Sequence, residues 1–81
     1  MAEMTNFFYD REGDVFYLSI GKPQEAVSKE IGEDVLLRVH PLTGEIVGIT
    51  VLNFVSRFSD LAHPQALPLY TEFRVKEKTF A

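Results

Sequence analysis

The sequence predicts an α+β, mainly β domain: an antiparallel β-meander of about four to six strands with one short helix. Three observations predict it. Apolar and polar residues alternate with a period of two in runs such as Val35 to Val39 and Tyr70 to Val75. Those runs are bounded by glycine, proline and aspartate clusters that favour turns. Helical spacing is confined to Phe54, Phe58 and Leu61.

Phe7 to Asp10 begins a short aromatic strand, and Arg11-Glu12-Gly13-Asp14 supplies the polar loop that reverses it. Val15 to Ile20 forms the second strand, with Phe16, Leu18 and Ile20 on one face and Val15, Tyr17 and Ser19 on the other. Both faces are mostly apolar. One is expected to meet a helix and the other a second subunit. Gly21-Lys22-Pro23 breaks this strand. Gln24 to Ile31 fits a polar edge strand, since Glu25, Val27, Lys29 and Ile31 alternate with Ala26, Ser28 and Glu30, but it also fits a two-turn helix. The alternation tips the reading slightly towards strand.

Gly32-Glu33-Asp34 turns the chain into Val35 to Val39, where Val35, Leu37 and Val39 oppose Leu36 and Arg38. In the next turn Pro41 presets the first corner, and Gly44 can take the left-handed conformation that closes a bulged hairpin. The return strand, Glu45 to Asn53, has Gly48 at its centre, which predicts a bulge or a large side chain packed over it. Asn53 is the expected N-cap of a helix that begins at Phe54 and ends at His63-Pro64, because the residue before proline is pushed out of helical geometry. A last strand is expected from Leu69 or Tyr70 to Val75. Residues 63–81 are then a C-terminal extension of one domain covering 1–81.

With 81 residues and no cysteine, the chain has a small core and no covalent staple, and its two histidines, His40 and His63, are too few and too far apart for a structural metal. No cofactor is implied. Self-association is the remaining way to bury more surface. Absence of cysteine and an amino terminus without a basic head or apolar signal core fit the cytoplasm. Apolar runs such as Ile46 to Leu52 fall short of the roughly 20 residues that cross a bilayer, so no membrane partner is expected. A formal net charge of −4 and a pI near 5.0 argue against nucleic acid, which needs a clustered positive field. A basic or neutral protein partner is easier to accommodate.

The order Tyr9-Asp10-x-Glu12-x-Asp14-x-x-Tyr17-x-x-Ile20, then Asp34-Val35-Leu36-Leu37, then Pro41-x-Thr43-Gly44-Glu45-x-Val47-Gly48-Ile49-x-Val51-Leu52-Asn53 resembles a family of short bacterial and archaeal proteins. It is the family known as domain of unknown function twenty-two eighty-three. The resemblance runs from Phe7 to Arg57 and implies a compact, mainly antiparallel β domain, without an activity. By association with neighbouring small toxins among relatives, it also raises an antitoxin role. This chain departs from the pattern at His40, where aspartate is usual, and in its extension from His63.

The residues themselves assemble no catalytic motif. Asp10, Glu12 and Asp14 have the spacing that opens a calcium loop, but Val15 and Gly21 stand where that loop needs glycine and a bidentate glutamate, so a solvated turn is expected. His40 and His63 have no evident orienting partner, and Ser19, Ser28, Ser56 and Ser59 have no nucleophile-elbow context. The set Phe7, Phe8, Tyr9, Phe16, Tyr17 and Phe54 lacks the surrounding lysine and arginine of an RNA-stacking sheet, which makes it core or subunit interface. Arg38 and Arg57 could each bind a carboxylate or phosphate, against a simpler reading as surface arginines paired with Glu45, Asp60 or solvent.

The expectation is a noncatalytic protein-interaction module that works as a homodimer or higher oligomer. Tyr17, Ile49, Val51 and Phe58 are its anchors, Arg38 and Arg57 fix orientation, and a small basic protein such as a toxin is a possible partner. The competing expectation is a small-ligand or enzymatic site between subunits, gathering Arg38, His40 and the Asp10 loop.

Overall fold

Residues 3–58 and 63–73 are described by the computed structural model. Five strands, β1 (Thr5–Asp10), β2 (Val15–Ile20), β3 (Val27–Gly32), β4 (Val35–Val39) and β5 (Ile46–Leu52), are followed by a 3₁₀ turn over Val55–Phe58. They form one antiparallel sheet in the order β1-β2-β5-β4-β3. The last three strands are a meander, and its final member, β5, pairs with the β1–β2 hairpin. The ambiguous segment after Pro23 is a strand from Val27. It lies at an edge, where its charged side chains stay in water.

Residues paired across strands share a face. One row runs Tyr9, Phe16, Val51, Val35, and the next Phe7, Leu18, Ile49, Leu37. This valine face holds all the buried hydrophobic side chains among the described residues: Val35 (1% exposed), Val51 (3%) and Val39 (6%). The opposite face carries the rows Phe8, Tyr17, Thr50, Leu36 and Asn6, Ser19, Gly48, Arg38. We call it the arginine face.

Gly48 explains how β5 fits between its neighbours. A Cβ built there would lie 2.6 Å from the carbonyl oxygen of Leu18 on β2, closer than real Cβ atoms come to backbone. Arg38 stands opposite Gly48 while Val39 stands opposite Ile46, so Val47 is an extra residue and forms a bulge. The bulge expected at a mid-strand glycine is therefore present, and what packs over Gly48 is the Leu18 backbone carbonyl, not a large side chain. The β3–β4 hairpin has its own irregularity, in which Glu30 opposes Leu36 and Gly32 opposes Val35.

The expected helix from Asn53 to His63 is instead a single 3₁₀ turn, and among the described residues there is no α-helix. Residues 59–62, over which it was to continue, lie outside the described residues. Asn53 does not cap the turn. It takes a left-handed conformation (φ 51°), and its side-chain amide donates to Asp34 Oδ2 at 3.2 Å. The cap is Asp14, whose Oδ1 accepts from the Val55 N–H at 2.9 Å. An acceptor 41 residues away displaces the adjacent one because strand pairing delivers the first hairpin turn to this point.

This arrangement aims Phe54 and Phe58 at the valine face. Phe54 stacks on Phe16 with centroids 4.8 Å apart and meets Phe58 edge-on at 5.2 Å, so aromatic rings cover the side assigned to a helix. Residues 63–73 add no strand, although Pro68 reaches the β3–β4 turn beside Gly32. The rest of the expected last strand, Arg74 and Val75, lies outside the described residues.

Replacing Gly48 by alanine should destabilise the fold by about 1–3 kcal/mol, because the obstructing atom is backbone and cannot swing aside. Gly44→Ala meets open space and should cost about 1 kcal/mol for holding alanine at positive φ. Denaturant midpoints of the two variants check the order: equal midpoints would mean that β5 can shift away from β2.

Candidate interaction surface

The polar residues of the turns come first, because most of them are occupied in holding the fold. Asp10 accepts the Glu12 N–H at 3.1 Å and the Gly13 N–H at 3.3 Å through one carboxylate oxygen, which shapes the β1–β2 turn. Asp14, in the left-handed conformation (φ 56°), accepts the Tyr9 hydroxyl at 2.6 Å as well as the Val55 N–H, and the Ser56 hydroxyl lies 3.4 Å from its second oxygen. Two members of the acidic triplet thus hold turn and cap positions. Among the described residues no three His, Asp or Glu side chains gather as metal ligands.

The Tyr9 hydroxyl, followed by the Val55 N–H, holds the Asp14 carboxyl below the ordinary carboxylate range. The same hydrogen bond, then partial desolvation and the Asp14 charge, raises the Tyr9 phenol. His40 works in a comparable way in the β4–β5 turn. Its Nδ1 accepts the Leu42 N–H at 3.1 Å and the Thr43 N–H at 3.2 Å, so the ring proton sits on Nε2 in this arrangement. A histidine acceptor here makes the side-chain-to-backbone turn contacts that an aspartate would make. His40 therefore has a structural role in this turn.

Of the predicted site residues, the fold brings Tyr17 and Arg38 together on one face, with Ile49 also at their concavity, and places Phe58 and Arg57 elsewhere. Tyr17 and Arg38 line a concavity of about 230 Å³ on the arginine face, with Phe8, Ser19, Gln24 and Thr50 around them. Arg38 Nε is buried there without a hydrogen-bond partner. Ile49 and Val51 lie on the valine face, and Val51, at 3% exposure, belongs to the chain's own core. Phe58 packs against Phe54 and stays partly exposed. Arg57 is at the β3–β4 turn, where its Nη1 donates to the Glu33 carbonyl at 2.8 Å. It serves as a clamp on that turn.

Two positions emerge that were treated only as part of the aromatic set. Phe7 and Phe8 are adjacent on the outermost strand and point to opposite faces, 76% and 64% exposed. Their consecutive placement was the available signal, since only a strand with both faces apolar carries such a pair. That β1 lies at an edge could not be read from it.

Fold and surface together define a small single-sheet antiparallel domain with two adjacent, exposed phenylalanines on one edge strand. The chain belongs to the family described as Protein of unknown function (DUF2283), whose model matches residues 6–54, from within β1 to just past β5. No curated protein and no solved structure matches the chain. Among the described residues, no helix is long and apolar enough to cross a membrane.

The Tyr9–Asp14 pair predicts a specific pH dependence. A depressed carboxylate contributes stability that is present above its unfolded value of 3.8 and lost as pH falls through its lower folded value. A raised phenol contributes stability present below its unfolded value of 10.0 and lost as pH climbs through the folded one. Asp14→Asn should remove the acid limb of the stability profile and, with the Asp14 charge gone, weaken the alkaline one, and Tyr9→Phe should flatten both limbs. Thermal melts across pH 2–11 measure this, and unchanged limbs in both variants would show that the pair is not formed in solution.

Proposed function

We propose that this protein is a noncatalytic protein-interaction module that acts as a homo-oligomer. The observation that carries the reading is the contrast between Phe7 and Phe8, 76% and 64% exposed on the two faces of one edge strand, and a core of three buried valines among the described residues. Fully burying a phenylalanine contributes about 1.5–3 kcal/mol, so covering both rings is a large gain for a domain with so little interior. Tyr17, stacked near Phe8 with centroids 6.2 Å apart, extends the apolar surface on the arginine face.

The noncatalytic part is supported by the use already made of the polar groups. Ser19 donates to the Gly21 carbonyl at 2.7 Å, His40 is a turn acceptor, and Asp10 and Asp14 hold backbone N–H groups. A group committed to the fold in this way is a poor general base or nucleophile. A net charge of −4 suits a small basic protein as a second partner, which is the arrangement of an antitoxin-like neutraliser, and a cysteine-free chain suits the reducing cytoplasm.

The second reading is a small-ligand site in the Arg38 concavity, favoured by the unpartnered Nε. At about 230 Å³ that concavity is below the usual 300–1,000 Å³ of a ligand pocket, which ranks it behind the first. A carboxylate or phosphate ligand retained in native mass spectra and lost in Arg38→Met would reverse the order.

Sedimentation of the full chain should give a whole-number multiple of its 9.2 kDa mass. Phe8→Asp and Tyr17→Asp should each lower that mass while leaving the far-ultraviolet circular dichroism unchanged, because a charge placed in an apolar contact breaks it. A wild-type chain that stays monomeric at every concentration would defeat the homo-oligomer reading.

A further inference from the structure

We propose that a second copy of this chain pairs with the edge of β1, which no other described strand covers, antiparallel and on a two-fold axis through Phe7, so that the two five-stranded sheets become one continuous sheet. This rests on the homo-oligomer reading above and specifies its contact. The backbone geometry identifies which groups are available. The Gly21 N–H donates to the Met4 carbonyl at 2.8 Å, one step beyond the Thr5–Ile20 pair in the same register. In an antiparallel ladder, hydrogen-bonded and non-bonded pairs alternate. Met4, Asn6, Phe8 and Asp10 therefore direct their backbone groups at β2, while Thr5, Phe7 and Tyr9 direct theirs outward.

The two edges of the sheet are not alike. At β3, Lys29 and Glu30 and the irregularity between Glu30 and Gly32 are devices that blunt an edge against pairing. At β1 the register is unbroken from Thr5 to Asp10, no lysine or proline occurs, and the one charge, Asp10, is at the strand's end. An edge with regular geometry, free backbone groups and exposed aromatics is a template for strand addition.

A second copy fits this edge by charge and by parity. A two-fold axis perpendicular to the sheet keeps each face on its own side, so residues pair only with partners of the same parity. Through Phe7, the axis places Phe7 opposite its own copy and Thr5 opposite Tyr9 on either side, using every outward-facing residue of the strand. An axis through Asn6 or Phe8 would leave one of the three out. Asp10 falls opposite Met4, so no like charges meet. The two acidic turns then stand about 20 Å apart at 3.4 Å per residue, beyond a Debye length of about 8 Å at physiological salt. The paired Phe7 rings would also join the Phe7–Phe16 contact, 6.2 Å between centroids, into one aromatic row across the axis.

The chain has no cysteine, so one introduced thiol reports on one position. In the proposed register Phe7 and its copy have Cα atoms about 5.5 Å apart, within disulfide reach, whereas Phe8 and its copy are displaced along the strands beyond it. Under mild oxidation Phe7→Cys should form a covalent dimer about tenfold faster than Phe8→Cys. Phe7→Pro removes an outward N–H and no intramolecular bond, so it should keep the circular dichroism of the fold and return the mass to 9.2 kDa. Faster cross-linking of Phe8→Cys than of Phe7→Cys overturns the register. A wild-type dimer in which Phe7→Cys does not cross-link and Phe7→Pro stays dimeric overturns the edge contact while leaving the homo-oligomer reading intact. A monomeric wild type with no cross-linking overturns both, and the cysteine pair decides alone where Phe7→Pro does not fold.

Discussion

The close approach of β5 to β2 is the constraint on which the rest of the sheet depends. Among the described strands, β5 is the one that holds two sequentially separate pieces together, the β1–β2 hairpin on one side and β4 with β3 on the other. It occupies that place because residue 48 has no side chain to meet the Leu18 carbonyl. The bulge at Val47 follows from the same strand, and it resets the pairing so that Val39 meets Ile46 on the valine face. Gly48 also stands opposite Arg38, and both line the concavity on the arginine face.

Once β5 lies against β2, the chain beyond it passes the first hairpin turn, and Asp14 meets it. The Phe54 N–H donates to the Asp14 carbonyl at 3.0 Å while the carboxylate takes the Val55 N–H and the Tyr9 hydroxyl. Those contacts set the direction in which Phe54 and Phe58 leave the sheet, and so determine which face is roofed by aromatic rings. The opposite face has no comparable cover among the described elements, and the concavity beside Arg38 opens there. Local hydrogen bonding at one aspartate thereby divides the sheet into a filled face and an open one.

The chemistry left over after folding is mainly apolar. His40, Asp10, Asp14, Ser19 and Arg57 all make contacts that shape turns or join segments. Among the described residues, what remains open includes the Arg38 Nε, which has no hydrogen-bond partner, and exposed apolar side chains, Phe7 and Phe8 on the β1 edge and Leu42, Tyr70 and Phe73 elsewhere. In the proposed interaction role such a surface would bind by shape and burial, with a single cation for orientation. A domain with so few buried side chains also gains proportionately more from such a contact than a larger one would.

Local features of this fold were legible in the residues. The positions of β2 and β4, the turn at Pro41–Gly44 and the special status of Gly48 follow from alternation, from proline's fixed φ and from glycine's missing side chain, each a property of a few neighbouring residues. The pairing of β2 with β5 and the capping of Val55 by Asp14 do not, because they join residues far apart in the chain and depend on where whole strands come to lie. Asn53 satisfied every local rule for a helix cap and still lost to a distant carboxylate. Exposure was decided at the same level: Val51 and Phe7 are both apolar strand residues on one face, yet one is central and buried while the other is at the rim and open. Sequence periodicity determined which way each side chain points, and the order of strands decided which of them meet water, since burial depends on neighbours that periodicity does not specify.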